Sequence, residues 1–105
     1  MDFHVIWADS AILNLQEVCT FIALDDRAAA QRVGQGILDH VKILGSFPCI
    51  GPPYPRRSAG TVREIVYRNY RIFYQVNQDT RSVEILHVWH GARGEPPLAP
   101  DWPTH

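Results

Sequence analysis

Residues 62–76 read VREIVYRNYRIFYQV, and residues 83–93 read VEILHVWHGAR. Both stretches are rich in β-branched and aromatic residues, which is typical of consecutive strands. Asn69 marks a tight turn or bulge inside the first stretch, and the polar residues 77–80 form a hairpin loop before the second. The two stretches therefore predict a three-stranded antiparallel meander.

Alternation along the middle strand assigns its side chains to two faces. The apolar set, which should bury against helices, is Tyr70, Ile72, Tyr74 and Val76. The other set, which we expect to stay open, is Arg71, Phe73 and Gln75.

Residues 3–24 predict a strand and a helix. An apolar run at residues 3–7 indicates the strand, and Asp9 or Ser10 offers an N-cap for the helix. Apolar residues then recur at helical spacing, and the helix should end near Leu24.

A second helix should follow directly. Asp25 and Asp26 form a turn, and one of them can cap the helix. Apolar side chains recur at spacings of three and four from Ala30 to Leu44, and Gly45 is well placed as a C-terminal stop. Two helices joined by so short a turn should form an antiparallel hairpin.

The whole chain of 105 residues is predicted to be a single domain with a Pro-rich tail at residues 94–105. Its class is α+β in two layers: an N-terminal strand, an antiparallel helix hairpin and the three-stranded antiparallel meander. No apolar run approaches the roughly 20 residues that span a bilayer. Because Asp2 stands where a signal peptide carries positive charge, we expect a cytoplasmic protein without a membrane role. Scattered histidines and cysteines predict neither a metal site nor a cofactor.

The net charge of −1 hides an asymmetry. Residues 1–55 hold three basic and six acidic side chains, whereas residues 56–93 hold seven basic and three acidic ones. All seven of these basic residues are arginines, whose planar fork suits phosphate or carboxylate. The segment is either a solvated surface or a site for an anionic partner.

Three further features carry a family resemblance: the Phe-Pro-x-x-Gly turn at residues 47–51, the YRIFY strand at 70–74 and the closing HGAR at 90–93. With the element order, they resemble the RelE/ParE toxin superfamily of bacterial type II toxin–antitoxin systems. The resemblance covers nearly the whole chain. It implies a small toxin wrapped by a cognate antitoxin, which alone would connect the toxin to operator DNA. RelE-like members cut messenger RNA on the ribosome, whereas ParE-like members inhibit DNA gyrase and need no catalytic residues.

If the chain is a RelE-like ribonuclease, the resemblance implies Arg71 and Arg93 as its phosphate-stabilising arginines. His90 could then act as base or acid, since histidine titrates near neutrality, and Glu64 is a weaker candidate base. However, no tyrosine follows Tyr74, although RelE-like nucleases commonly place one after the last strand. A pI near 6.5 also fits poorly with electrostatic binding of polyphosphate. The sequence therefore favours the ParE branch, with an endoribonuclease or an inactive antitoxin-binding protein as alternatives.

Four arginines are candidates for contact with an antitoxin or a target: Arg63, Arg68, Arg71 and Arg93. We expect acidic antitoxin residues to face one of the first three. The alternative is that these arginines hold the fold, and that His90 is satisfied by backbone hydrogen bonds at the end of its strand.

Overall fold

Four strands form one sheet in the computed structural model of the chain, which describes residues 2–54 and 61–94. The strands are β1 (His4–Trp7), β2 (Val62–Tyr67), β3 (Tyr70–Asn77) and β4 (Ser82–His90). They lie in the order β1-β4-β3-β2, with β2, β3 and β4 antiparallel and β1 parallel to β4. The predicted meander is confirmed, and the first strand completes the sheet beside the last.

Helix α1 (Asp9–Ala23) follows β1, as predicted, but without the expected cap. Ala8 occupies the N-cap position and offers no side-chain acceptor. The hydroxyl of Ser10 instead donates to the carbonyl oxygen of Leu86 at 2.7 Å. The prediction of an Asp9 or Ser10 cap is wrong, because Ser10 is used to tie the helix to β4.

Helix α2 (Arg27–Val41) is capped by Asp26, whose carboxylate accepts from the backbone N–H of Ala29 at 3.0 Å. The helix ends at Val41, and a separate short helix α3 (Ile43–Ser46) holds the last predicted turn. The helix hairpin is confirmed, although its second arm is shorter than predicted. Gly36 lets α2 approach the sheet closely, since a Cβ there would lie 1.9 Å from Oη of Tyr67.

The main core lies between the helices and one face of the sheet, which we call the helix face. Its buried members are Ala11, Ile37, Val41, Leu44, Tyr70, Ile72, Tyr74, Val83, Ile85 and Val88. Val76 packs against this cluster at its edge. The predicted helix-facing set of the middle strand is therefore confirmed in full.

The opposite face of the sheet, which we call the far face, is not open at its centre. Phe73 is fully buried there in a second cluster with Tyr54, Val62 and Leu86. Residues 49–54, which we call the covering segment, run along the outer edge of β2 and bring Tyr54 into this cluster. The N–H of Tyr54 donates to Val62 at 2.9 Å, and that of Glu64 donates to Pro52 at 3.0 Å. The expectation of an open face is wrong at Phe73, which Tyr54 covers, and also at Gln75, which is 7% exposed.

A β-bulge distributes the apolar residues of β4 between the two faces. Phe73 pairs with His87 and Tyr74 pairs with Ile85, so Leu86 is an extra residue on β4. Ile85 belongs to the core on the helix face and Leu86 to the cluster on the far face. Val88 also belongs to the core on the helix face, although it lies three residues after Ile85. Regular alternation would place these two residues on opposite faces, so the extra residue of the bulge allows both to enter the main core.

Two parts of the chain lie outside the described residues: the arginine pair Arg56 and Arg57, and the Pro-rich tail beyond Gly94. Among the residues that the structure describes, none of the helices has the length and apolar character needed to cross a membrane.

Candidate functional site

Arg71 projects from β3 onto the far face and forms an ion pair with Glu64 of β2. Its Nε contacts Oε2 of Glu64, and its Nη2 donates to Oε1 at 3.1 Å. The two side chains are only 20% and 13% exposed, respectively. The guanidinium carbon also lies 5.3 Å from the ring centroids of Tyr54 and Phe73. Arg71 and the candidate base Glu64 thus neutralise each other beside the covering segment.

Two further side chains hold the covering segment in place. Nη1 of Arg63 donates to the carbonyl oxygens of Gly51 at 2.6 Å and Cys49 at 3.3 Å. The N–H of Gly51 donates to Oη of Tyr74 at 2.9 Å, and burial raises the pKa of that phenol. Two of the four candidate arginines, Arg63 and Arg71, are therefore engaged within the fold.

His90 ends β4 with its ring on the helix face. Nδ1 of His90 accepts from the backbone N–H of Ala92 at 3.0 Å, which caps the short 3₁₀ turn Gly91–Arg93. The ring stands edge-on to Tyr70 with 5.1 Å between centroids. This hydrogen bond agrees with the alternative stated for His90, in which the backbone satisfies its side chain at the end of the strand.

Arg71 and His90 lie on opposite faces of the sheet. Tyr70 pairs with His90 and Arg71 pairs with Trp89, and neighbouring residues of a strand point to opposite faces. Arg93 lies with His90 along a groove that is separate from the far face. The sheet does not bring all three residues of the ribonuclease hypothesis together, and their catalytic role stays a prediction.

A groove of about 310 Å³ runs between α1 and the adjoining ends of β3 and β4. We call it the α1 groove; it is lined by Asn14, Glu17, Val18, Phe21, Tyr70, Val88, His90 and Arg93. Oδ1 of Asn14 accepts from the backbone N–H of Val88 at 3.0 Å, which fixes the helix against the strand. This contact joins the two elements that form the sides of the groove.

Arg68 and Arg93 stand at the same end of the sheet. Arg68 occupies the two-residue turn between β2 and β3 with a φ of 53°, and both arginines are exposed. The N–H of Gly91 donates to the carbonyl oxygen of Asn69 at 2.7 Å, which joins that turn to the turn that carries Arg93. Of the four candidate arginines, these two are the ones that the fold leaves on the surface.

Sequence reasoning missed the exposed apolar side chains of α1. Leu13, Phe21 and Leu24 are 59%, 74% and 77% exposed, although residues of their kind are normally buried. Leu13 and the C-cap residue Leu24 lie on the side of the helix away from the buried Ala11, whereas Phe21 lines the α1 groove. A signal was present, because a helix with apolar residues outside its core stripe has a second apolar face.

In residues 2–54 and 61–94, no group of three or more His, Cys, Asp or Glu side chains lies close enough to hold a metal ion.

Asp39 is an exposed carboxylate that hydrogen-bonds to neighbouring side chains. Hydrogen bonds from Gln35 and Lys42 lower its pKa, and the three side chains lie on the exposed side of α2 and its end.

A pH dependence of stability is expected from His87 on the far face. Burial lowers the pKa of His87 below the ordinary value of 6.5. The unfolded chain therefore takes up a proton at a pH where the folded chain does not, and stability should fall as the pH drops below that value. Urea unfolding at about pH 7.5 and about pH 5 should show a smaller loss for His87→Gln than for the unchanged chain. Equal losses in the two proteins would contradict this role.

A protein-family model and a related sequence each match most of this chain. A family model described as ParE toxin of type II toxin-antitoxin system, parDE, matches residues 5–94. The protein named "Putative toxin Y4kP" of Sinorhizobium fredii is 35% identical over 89 residues, which cover 83% of this chain and 86% of that protein.

Two solved structures share the fold. One is a chromosomal ParDE toxin–antitoxin system from P. aeruginosa, with a TM-score of 0.69 and 20% identity over 84% of this chain and 95% of that one. The other is the toxin–antitoxin complex RelBE2 from Mycobacterium tuberculosis, with a TM-score of 0.57 and 23% identity over 86% of this chain and 99% of that one. At these identities the likeness concerns the fold alone.

Proposed function

Because the chain belongs to the ParE toxin family of type II toxin–antitoxin systems, we propose that it stops bacterial growth by binding and inhibiting DNA gyrase. A cognate antitoxin neutralises it, and the toxin meets operator DNA only through that antitoxin. Its place of action is the cytoplasm, where gyrase and DNA are found. Inhibition by binding requires a shaped surface rather than a catalytic centre.

The ion pair between Arg71 and Glu64 is the observation that carries the proposal. A ribonuclease needs a free cation to stabilise the charge that develops on the phosphate. The guanidinium of Arg71 instead forms an ion pair with Glu64 in a largely buried site and packs over Tyr54 and Phe73. This pairing supports a structural role for Arg71 and counts against Arg71 as the cation that stabilises the phosphate.

Electrostatics supports the same choice. Binding to ribosomal RNA is dominated by phosphate contacts, which a basic protein makes best. This chain has a net charge of −1 and a pI near 6.5. Its binding target is accordingly better sought among proteins than among nucleic acids.

An antitoxin partner is supported independently of the target. Both solved structures with this fold are of toxin–antitoxin systems or complexes. An antitoxin segment that folds on the toxin would cover surface that the isolated chain leaves exposed.

Two assays test the gyrase proposal directly. Purified toxin at micromolar excess should inhibit DNA supercoiling by gyrase, and prior addition of antitoxin should restore it. In cells, induction of the toxin without antitoxin should lower thymidine incorporation before methionine incorporation and cause filamentation. Supercoiling that continues unchanged would refute gyrase as the target.

The alternative is a ribosome-dependent endoribonuclease. The observation that favours it is the common position of His90 and Arg93 along the α1 groove. It predicts that methionine incorporation collapses first and that messenger RNA is cut on the ribosome. Growth that continues normally at high toxin levels would instead indicate a degenerate member that only binds its antitoxin.

A further inference from the structure

A second groove lies at the outer edge of β2, at the opposite edge of the sheet from β1. It is a cleft of about 330 Å³, which we call the edge cleft, and it is lined by His40, Ile43, Ile50, Gly51, Pro52, Glu64, Ile65 and Val66. These residues belong to the end of α2, to α3, to the covering segment and to β2. None of these eight residues lines the α1 groove, so the two grooves are separate surfaces.

The edge cleft opens where the covering segment leaves β2. The covering segment takes up the outward carbonyl of Val62 and the outward N–H of Glu64. Alternate residues of a strand turn their backbone groups to the same edge, so the N–H and carbonyl of Val66 also point outward. In the part of the chain that the structure describes, no backbone group pairs with them. One step of the β2 edge is therefore open to an added strand.

Three exposed aliphatic side chains surround this open step. Ile43, Ile50 and Val66 all line the edge cleft and are 40%, 55% and 56% exposed, respectively. Single exposed aliphatic residues are common, but a group of them around one cleft marks a site of contact with another molecule. The edge cleft therefore suits an apolar side chain of a partner.

The charges beside the edge cleft select an acidic neighbour for that side chain. Glu64, the only acid among the lining residues, is already paired with Arg71. The ring centroid of Tyr67 lies 5.4 Å from that of His40 and 5.5 Å from the guanidinium carbon of Arg68. Within residues that the structure describes, Arg68 has no carboxylate partner. Positive charge at this end of the cleft complements an acidic partner.

The short length of the open edge indicates what kind of protein fits. Only the step at Val66 lies between the covering segment and the turn that carries Arg68. A step of this length pairs with about two or three residues of an extended segment. A loop of a large folded enzyme meets this requirement, whereas a long segment that wraps the toxin needs a longer surface.

We propose that the edge cleft is the surface with which the toxin binds its target. A loop of gyrase adds to β2 at Val66, places an apolar side chain between Ile43 and Ile50, and directs an acidic side chain to Arg68. Backbone pairing supplies affinity, and the cleft and the arginine supply specificity. This inference rests on the proposed function, because it takes gyrase as the target.

The test is the inhibition of purified gyrase by toxin variants, with the Kd for the co-expressed antitoxin measured in parallel. Ile50→Asp should raise the toxin concentration for half-maximal inhibition by about 30-fold, because it places a charge at an apolar contact. Arg68→Glu should raise it by about 10-fold through repulsion of the partner's acid. The Kd for the antitoxin should change by less than about threefold in both, which also shows that the variants are folded.

Val66→Pro tests the backbone pairing. Proline removes the outward N–H, and an edge strand tolerates this loss because that group faces solvent. Val66→Ala is the matched control, since it shortens the side chain and keeps the N–H. Val66→Pro should weaken inhibition of gyrase about 10-fold more than Val66→Ala, as expected for one lost hydrogen bond.

Controls elsewhere on the surface separate the edge cleft from general effects. Leu13→Asp places a charge on a leucine of α1 that is 59% exposed, and Arg32→Glu reverses an exposed arginine of α2. Neither residue lines the edge cleft, so each should change gyrase inhibition by less than about threefold. Hydrogen exchange should slow in residues 43–52 and 64–68 when gyrase is bound.

Equal inhibition of gyrase by the unchanged chain, Ile50→Asp and Arg68→Glu would overturn the proposal. A loss of antitoxin affinity with gyrase inhibition intact would assign the edge cleft to the antitoxin instead. Protection of residues 64–68 by duplex DNA alone would assign it to nucleic acid.

Failure of gyrase as the target is distinguishable from failure of the edge cleft. If the unchanged chain leaves supercoiling intact, gyrase is refuted, and growth after induction without antitoxin then decides the role of the cleft. Relief of growth arrest by Ile50→Asp and Arg68→Glu, but not by Arg32→Glu, would keep the cleft as the surface for another target. Growth arrest that persists in all three variants would overturn the cleft as well.

Discussion

Replacement of Arg71 by alanine is expected to lower the free energy of unfolding by about 3 kcal/mol, because it leaves the carboxylate of Glu64 largely buried without its partner. The substitution also removes the packing of the guanidinium over Tyr54 and Phe73. Urea unfolding of the purified variant measures the loss. A catalytic arginine would instead give a variant that folds normally and has lost only its toxicity.

A double-mutant cycle makes this prediction specific. Arg71→Ala combined with Glu64→Ala removes both charges. The loss of unfolding free energy in the double variant should therefore be smaller than the sum of the two single losses by about 1 kcal/mol or more. Arg68→Ala is the matched control, since Arg68 is exposed on the neighbouring turn, and should cost less than about 0.5 kcal/mol. An Arg71→Ala variant that is as stable as Arg68→Ala would return Arg71 to the list of candidate catalytic residues.

Gly51→Ala should have an effect of similar size. A Cβ at this position would lie 2.3 Å from the carbonyl oxygen of Glu64 and 2.9 Å from Oη of Tyr74. The first of these atoms is backbone in the middle of a paired strand, so the covering segment has to shift away from the sheet. We expect a loss of about 3 kcal/mol, at the upper end of the usual cost of overpacking.

Detachment of the covering segment gives this variant a second signature. The far-face cluster around Phe73 and Leu86 should become accessible, with faster proteolysis between residues 47 and 54 in the folded protein. Cys49→Ala, an exposed change of similar size in the same segment, should leave both stability and proteolysis nearly unchanged. Wild-type stability in Gly51→Ala would show that the segment is not held against β2 as described.

The helix face was predictable because periodic patterns determine it. Tyr70, Ile72 and Tyr74 alternate on β3 and all three enter the main core. The far face was not predictable from the sequence. The residue that covers it is Tyr54, a single aromatic side chain in an irregular Pro-rich stretch that has no hydrophobic periodicity. The bulge at Leu86 was missed for a related reason, since one extra residue breaks the alternation of β4 without any turn residue to mark it.

Composition alone identifies the arginines as candidates, but the role of each arginine depends on the residues that the fold places beside it. The two-residue turn at Arg68 and Asn69 fixes the register of β2 against β3, and that register places Glu64 diagonally across from Arg71 on one face. The ion pair could therefore have been inferred from the turn. The exposure of Arg93 could not have been inferred from the sequence, because it depends on how the turn after β4 contacts the β2–β3 turn.

The parallel pairing of β1 with β4 also has a kinetic consequence. His4 pairs with Ser82 and Trp7 with Ile85, so β1 has no strand partner until β4 has been synthesised. Ribosomes add about 5–20 residues per second, which separates the two strands by roughly 4–16 s. The helix hairpin and the β2–β3 hairpin can form from local contacts during this interval, whereas the sheet closes last. Translation itself therefore sets a minimum delay before a nascent toxin can complete its fold.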